Sequence, residues 1–291
     1  MFSCPKTRTL SRPGCPLPRY GKRRCGLPAA LVWLLLGLLL LTGGPGAWAD
    51  AQATRAPVPL LSQAQRLYEQ RGDLHKARRA AELYRRVLEQ SPRNEQAALR
   101  LASLYVWLGV HQKDRDEELA YYQRAVKVAG RVVKLYPDHP GPHYWLGVAY
   151  GLMADTCNFL RALEYIRPLK RQMKRLMELD PSYEYGGPYR VLGRLYTKLP
   201  ALMGGDLDLA ERYLRKAVSL GPGYWLNHLY LAAVLLEKGK EKEARALVAR
   251  VRDGELLQGL EPESRFWKKS AARLLRESHL HHMKAQAETE R

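Results

Sequence analysis

The chain has 291 residues, a formal charge of +19 and four cysteines. Three of these, Cys4, Cys15 and Cys25, precede an expected cleavage site, so Cys157 alone remains and an intrachain disulfide is excluded. The fold must then rest on its core, and about 240 residues suffice for one.

Residues 1–49 read as an export signal. Residues 1–26 hold seven Lys or Arg and no acid, an apolar run extends from Ala29 to Leu41, and Ala47-Trp48-Ala49 is a small-x-small cleavage site. The run spans roughly 20 Å as a helix at about 1.5 Å per residue, short of the roughly 30 Å of a hydrocarbon core. A signal cleaved after Ala49 is therefore expected, with export to the periplasm; an uncleaved inner-membrane anchor is the alternative. No cysteine follows the run where a lipoprotein signal needs one. Beyond residue 49 the chain keeps 41 Lys and Arg against 29 acids, a charge of +12. That favours anionic partners: carboxylate ligands, an acidic protein or a membrane surface. Export, and basic residues scattered along helices with no single block, argue against nucleic acid.

After a linker at 50–59, apolar residues recur at spacings of three and four across residues 60–278. Sustained period-two alternation is absent, so the pattern predicts helices and no strand. Pro92, Pro137, Pro181 and Pro222 punctuate the helices at spacings of 45, 44 and 41. Proline stops a helix because it lacks the N–H and clashes with the preceding turn.

The first unit places a helix at 63–70, a turn at Gly72-Asp73 and a second helix from Ala77 to Glu89, with Ala80, Ala81, Tyr84 and Leu88 inward. The second opens at Glu95, puts Ala98, Leu101, Ala102 and Tyr105 on one face, and ends its first helix at Gly109. The polar run 111–118 extends the turn before a helix from Leu119 to Leu135. The third follows Pro140-Gly141-Pro142 and carries His143, Leu146, Gly147 and Tyr150. Its second helix, Leu160 to Leu179, contains Pro168, which should kink it.

The fourth unit is the clearest. It reads Tyr189-Arg190-Val191-Leu192-Gly193-Arg194-Leu195-Tyr196, then Gly205-Asp206-Leu207-Asp208-Leu209-Ala210, Leu214, Ala217 and Pro222, with an insertion at 197–203. The fifth has His228, Leu231, Ala232, Leu235, Gly239, Ala244, Val248 and Val251, and no insertion. A capping helix from about Pro262 to His279 turns Phe266, Trp267, Ala271 and Leu274 inward, and residues 280–291 form a flexible tail. Large–x2–Leu-Gly–x2–Tyr on one helix and Ala–x3–large–x2–Ala on the next, then Pro, resembles the tetratricopeptide repeat (TPR), whose ordinary period is about 34. The expected fold is an all-α, TPR-like helix-pair solenoid of four to five repeats over 60–279.

First helices of TPR units line the concave face. The register places Leu99, Ser103, Val106, Trp107, Tyr144 and Val148 there, then Arg190, Arg194, Thr197 and Lys198. The groove should be apolar and aromatic at one end and basic at the other. Arg190, Arg194 and Lys198 are four apart and share a helix face; three aligned cations can clamp a carboxylate, and Arg can do so bidentately. Trp107, Tyr144, Arg190, Arg194 and Lys198 are the candidate ligand- or partner-binding residues, read against the plainer alternatives of a solvated basic face and ordinary packing. Cys157 reads as a buried small hydrophobe. His279, His281 and His282 could grip a metal only weakly in a tail, so neither a metal site nor a cofactor is expected. GxSxG, HExxH, P-loop, CxxC and dinucleotide fingerprints are absent. No enzyme is expected.

The stretch Tyr185-Gly186-Gly187-Pro188-Tyr189-Arg190-Val191-Leu192-Gly193-Arg194-Leu195-Tyr196, with Leu199-Pro200 and Gly204-Gly205-Asp206, resembles TatT, the T component of tripartite ATP-independent periplasmic (TRAP) transporters. The resemblance covers most of 60–255 in architecture and 185–245 in motif. It implies a non-enzymatic, exported TPR protein that meets a periplasmic solute-binding protein, takes a small carboxylate or apolar ligand, and forms a homotrimer. The family prototype is a lipoprotein and this chain lacks the acceptor cysteine. The alternative is a TPR scaffold for a cell-envelope protein complex.

Overall fold

The computed structural model describes the backbone of residues 58–289. The export signal, its cleavage site and nearly all of the linker lie outside the described residues. Five helix pairs follow one another: α1 (Val58–Glu69) with α2 (Leu74–Gln90), α3 (Glu95–Gly109) with α4 (Arg115–Leu135), α5 (Pro140–Thr156) with α6 (Phe159–Leu179), α7 (Tyr183–Lys198) with α8 (Leu207–Leu220), and α9 (Trp225–Glu237) with α10 (Glu241–Asp253). A closing helix, α11 (Glu261–Thr289), completes the stack, and no strand occurs among the described residues. Each helix packs on its pair mate, and α5, α7, α9 and α11 also pack in succession. This is the expected helix-pair solenoid.

Side chains on the connecting turns set most helix starts. Asp73 accepts from the His75 and Lys76 N–H groups, Asn94 from Ala97, Asp114 from Asp116 and Glu117, Asn158 from Arg161, and Asp206 from Leu209. Each satisfies donors that the first turn leaves unpaired, at about 1 kcal/mol per cap. Asp114 accounts for one departure from the sequence reading: residues 115–118 form the first turn of α4 and do not prolong the loop. The helix α6 is continuous through Pro168. The last helix carries on past His279 to Thr289, where a flexible tail is expected from the sequence.

Small residues let the pairs close. Ala77, Ala80, Ala97, Ala102, Ala125, Ala149, Ala210, Ala217, Ala232 and Ala244 are fully buried. A Cβ on Gly147 would lie 2.2 Å from Met173 Cε, and one on Gly193 would lie 2.5 Å from Leu214 Cγ. At Gly193 the branched Leu214 and the Ala210 carbonyl leave little room for a side chain, whereas at Gly147 the end of the flexible Met173 side chain would have to move. In α2 the inward face is Ala77, Ala80, Ala81, Tyr84, Leu83 and Val87, while Leu88 is half-buried.

The solenoid curls back on itself. Arg71, on the α1–α2 turn, grips Glu263 of α11 with two hydrogen bonds of 2.7 and 2.6 Å and donates to the Gly259 carbonyl at 2.8 Å. Phe266 of α11 lies edge-on to Trp107 of α3, with ring centroids 6.2 Å apart. The cap thus seals the first two repeats as well as the fifth, and the concave side becomes partly enclosed.

Candidate functional site

A cavity of about 410 Å3 opens on the concave side between α5, α6 and α7, with Leu226 and Tyr230 of α9 closing one side. Val148, Leu152, Leu163, Ile166, Val191 and Leu195 form its apolar wall. Its polar residues are few: Arg190, Arg194 and Lys198 from α7, Asp155 from the last turn of α5, and Tyr144 and Tyr230. Volume and lining suit a small ligand with an apolar body and one polar head.

Arg190 is only 1% exposed. Its Nη1 donates to the Glu184 carbonyl at 3.0 Å and to Asn227 Oδ1 at 2.9 Å, and its Nη2 donates to the Tyr144 hydroxyl at 2.7 Å. The guanidinium also stacks over the Tyr224 ring at 4.5 Å. Burial works against its charge. Electrostatic attraction to the Tyr144 and Tyr224 phenol groups, the Tyr144 hydrogen bond and the nearby Glu184 carboxyl outweigh that, and the Arg190 pKa is raised above its ordinary value. In turn, burial pushes the Tyr144 and Tyr224 hydroxyls up and Arg190 opposes the shift. The Glu184 carboxyl is likewise pushed up by burial against the pull of Arg190. Hydrogen bonds to a charged group are worth about 1.5–3 kcal/mol each, so this cluster is a strong local anchor.

That anchor holds an unusual turn. Glu184, Tyr185 and Gly186 are left-handed, with φ of +49°, +60° and +78°. Non-glycine residues there cost about 1–3 kcal/mol each. Three contacts offset the cost: Arg190 caps the Glu184 carbonyl, Asn227 Nδ2 donates to the Tyr185 carbonyl at 2.9 Å, and the Tyr185 ring stacks on Tyr224 at 4.8 Å. The turn folds the start of α7 over the Arg190 side chain, which is why a residue placed by register on the open face lies inside.

The other candidates divide. Tyr144, Arg190, Arg194 and Lys198 line the same cavity. Arg194 is a third exposed, stacks over the Tyr230 ring at 4.9 Å and pairs with Asp155 at 3.2 Å; Lys198 is exposed at the rim. Trp107 is elsewhere. Its indole N–H donates to the Arg71 carbonyl at 2.8 Å and its ring packs on His111 and Phe266, so it serves the closure of the solenoid. Register along one helix could not show the cross-repeat partners Asp155 and Asn227. Of the turn it leaves one sign, the consecutive Gly186-Gly187. Cys157 is buried and lines the cavity edge. Among the described residues no group of His, Cys, Asp or Glu could hold a metal, and none of the helices is long and apolar enough to cross a membrane.

The family model described as regulator of microtubule dynamics protein 1-3 matches residues 60–200, a little under half of the chain. A tetratricopeptide-repeat model matches residues 201–255. No curated protein matches. The crystal structure of a thermophilic TPR protein from Thermus thermophilus is similar at 23% identity over 74% of this chain and 98% of that one, with a TM-score of 0.55. That likeness shows the fold alone. The MamA protein is 20% identical over 70% and 92% of the two chains, with a TM-score of 0.41. Yeast Tom70 is 18% identical over 72% and 40%, with a TM-score of 0.39. Five stacked helix pairs, glycines at two of their crossings and the repeat model over residues 201–255, which hold α8, α9 and α10, lead to one statement: the chain has a TPR-like helix-pair solenoid fold and carries tetratricopeptide repeats, a fold that mediates protein–protein interaction and generally does not catalyse.

Proposed function

We propose that this protein is a TPR binding module that holds a small apolar carboxylate in the cavity between α5, α6 and α7 and presents it to a protein partner. The observation that carries the reading is a buried, charged Arg190 at the wall of an otherwise apolar cavity, with Arg194 and Lys198 on the same helix. An apolar wall binds the ligand body without direction, and the cations select its head. With the export signal read from residues 1–49, the module becomes an accessory of a TRAP-type solute transport system that contacts the periplasmic solute-binding protein. Calorimetry with decanoate tests the cavity. Binding should be lost in Ala162→Phe, which fills the wall, and weakened about tenfold in Arg194→Gln, the loss of one charged hydrogen bond. Undiminished binding in both variants contradicts the site.

A second reading has its own support. The family match over residues 60–200 points to a microtubule-linked partner, and α6 carries six Lys or Arg against two Glu. Four of those cations, Arg161, Arg167, Arg171 and Lys174, are exposed. In this reading α6 docks on an acidic protein surface. Co-sedimentation with polymerised tubulin separates the two, because only the second predicts pelleting that Arg167→Glu with Arg171→Glu abolishes.

A further inference from the structure

Asp155 is in an unexpected place. It occupies the last turn of α5, where the helix dipole disfavours a carboxylate. It also lines a cavity whose other charged groups, Arg190, Arg194 and Lys198, are all cationic. Its hydrogen-bond partner is Arg194, in the next repeat, through a single contact of 3.2 Å with both side chains about a third exposed. A well-made guanidinium–carboxylate pair is shorter, near 2.7–2.9 Å, and often bidentate. This one is loose, half-wet and easily exchanged. Arg190 differs: its three hydrogen bonds go to neutral acceptors, the Glu184 carbonyl, Asn227 Oδ1 and the Tyr144 hydroxyl.

We propose that Asp155 stands in for the ligand's carboxylate, holding Arg194 until an anionic ligand takes its place. The proposal rests on the reading of the cavity as a site for an apolar carboxylate, and it assigns that site a selectivity device. Arg194 is held over the Tyr230 ring and is presented by an internal anion, so less side-chain freedom is lost on binding. The cost is competition: a ligand must out-compete Asp155 for the guanidinium. A neutral apolar molecule gains nothing from Arg194 and leaves the Asp155 pair intact. A second acidic group on the ligand meets Asp155 as a like charge. Among anionic ligands the device therefore discriminates against those with a second acidic group.

Calorimetry with two probes of equal chain length, decanoate and decanol, tests this on the purified protein, Asp155→Asn, Arg194→Gln and the double variant. Removing the competitor should tighten decanoate about fivefold, the factor that corresponds to the upper end of a partly exposed ion pair. Decanol affinity should change far less. In the Arg194→Gln background the gain from Asp155→Asn should disappear, because the effect passes through that guanidinium. Equal or weaker decanoate binding by Asp155→Asn overturns the proposal and leaves the cavity reading standing. A gain that persists without Arg194 also overturns it, since the effect is then the general field of the cavity. Failure of the unaltered protein and all variants to bind either probe removes the cavity reading and this proposal together.

Discussion

The fifth repeat and the pair formed by the third and fourth repeats use the same motif to different ends. In the fifth, α9 and α10 are 13 residues each. Leu231, Ala232, Leu235, Ala244, Val248 and Val251 are fully or almost fully buried and form the core of the pair. In the third, α5 and α6 extend to 17 and 21 residues. The cavity is lined by that extra length: Leu152 and Asp155 at the end of α5, and Phe159, Ala162 and Leu163 at the start of α6. The insertion after α7 adds Leu199 and Pro200. A standard repeat spends its side chains on packing; residues beyond the period project past the interface, and here they build a pocket.

That contrast breaks most visibly at Arg190. Arg190→Met strips donors from Tyr144, Asn227 and the Glu184 carbonyl and removes one of the two cations, Arg190 and Arg100, that pull on the half-buried Glu184 carboxyl. Urea unfolding should show a loss of about 3–5 kcal/mol, and a loss below about 1 kcal/mol would mean that the left-handed turn stands without its anchor. Leu235→Ala, in the fully buried interface of the fifth repeat, should cost about 2–5 kcal/mol and leave decanoate binding intact. Ile166→Ala should cost about 1 kcal/mol, because its side chain already faces open space, yet it should weaken decanoate. Reversal of that order would erase the distinction between packed and pocketed repeats.

The joint between the fourth and fifth repeats gives a pH test. Burial works against the ionised Glu211, but hydrogen bonds from Lys238, Lys240 and Arg215 outweigh it and hold the carboxyl down at about 2, against an ordinary value of 4.5. A depressed carboxyl contributes stability above its unfolded value, and that contribution fades as pH falls from 4.5 towards 2. The contribution is about 1–2 kcal/mol, since the surrounding cations are partly exposed. In Glu211→Gln, unfolding measured across that range should lose this slope. At the small end, Arg85→Ala breaks an exposed pair with Glu89 on α2 and should change stability by less than about 0.5 kcal/mol.

Much of the solenoid is legible in the sequence because packing here is local. The period-three-and-four spacing of Leu231, Leu235, Ala244 and Val248 specifies both helices of a pair, and Gly147 and Gly193 mark the crossings. Turn prolines and glycines fix most of the boundaries to within a few residues. The exception at 115–118 is a polar first turn of a helix, whose composition resembles a loop until Asp114 is seen to cap it. The site is legible only in part. Register brings Tyr144, Arg190, Arg194 and Lys198 to one surface, and they do line one cavity. Register cannot show that three left-handed residues fold over Arg190, or that Asp155 reaches Arg194 from the preceding repeat. Both depend on contacts between units. Trp107 lies apart from that cavity for the same reason: α11 meets the first repeats, and the indole packs in that contact.

Native mass spectrometry of the purified protein, with release and identification of any carried molecule, tests the central claim most directly. The account predicts one apolar monocarboxylate per chain, lost in Ala162→Phe and retained in Leu235→Ala. A protein that carries nothing and binds no added decanoate, or one whose ligand survives Ala162→Phe, contradicts the claim that the extended third and fourth repeats form a binding site.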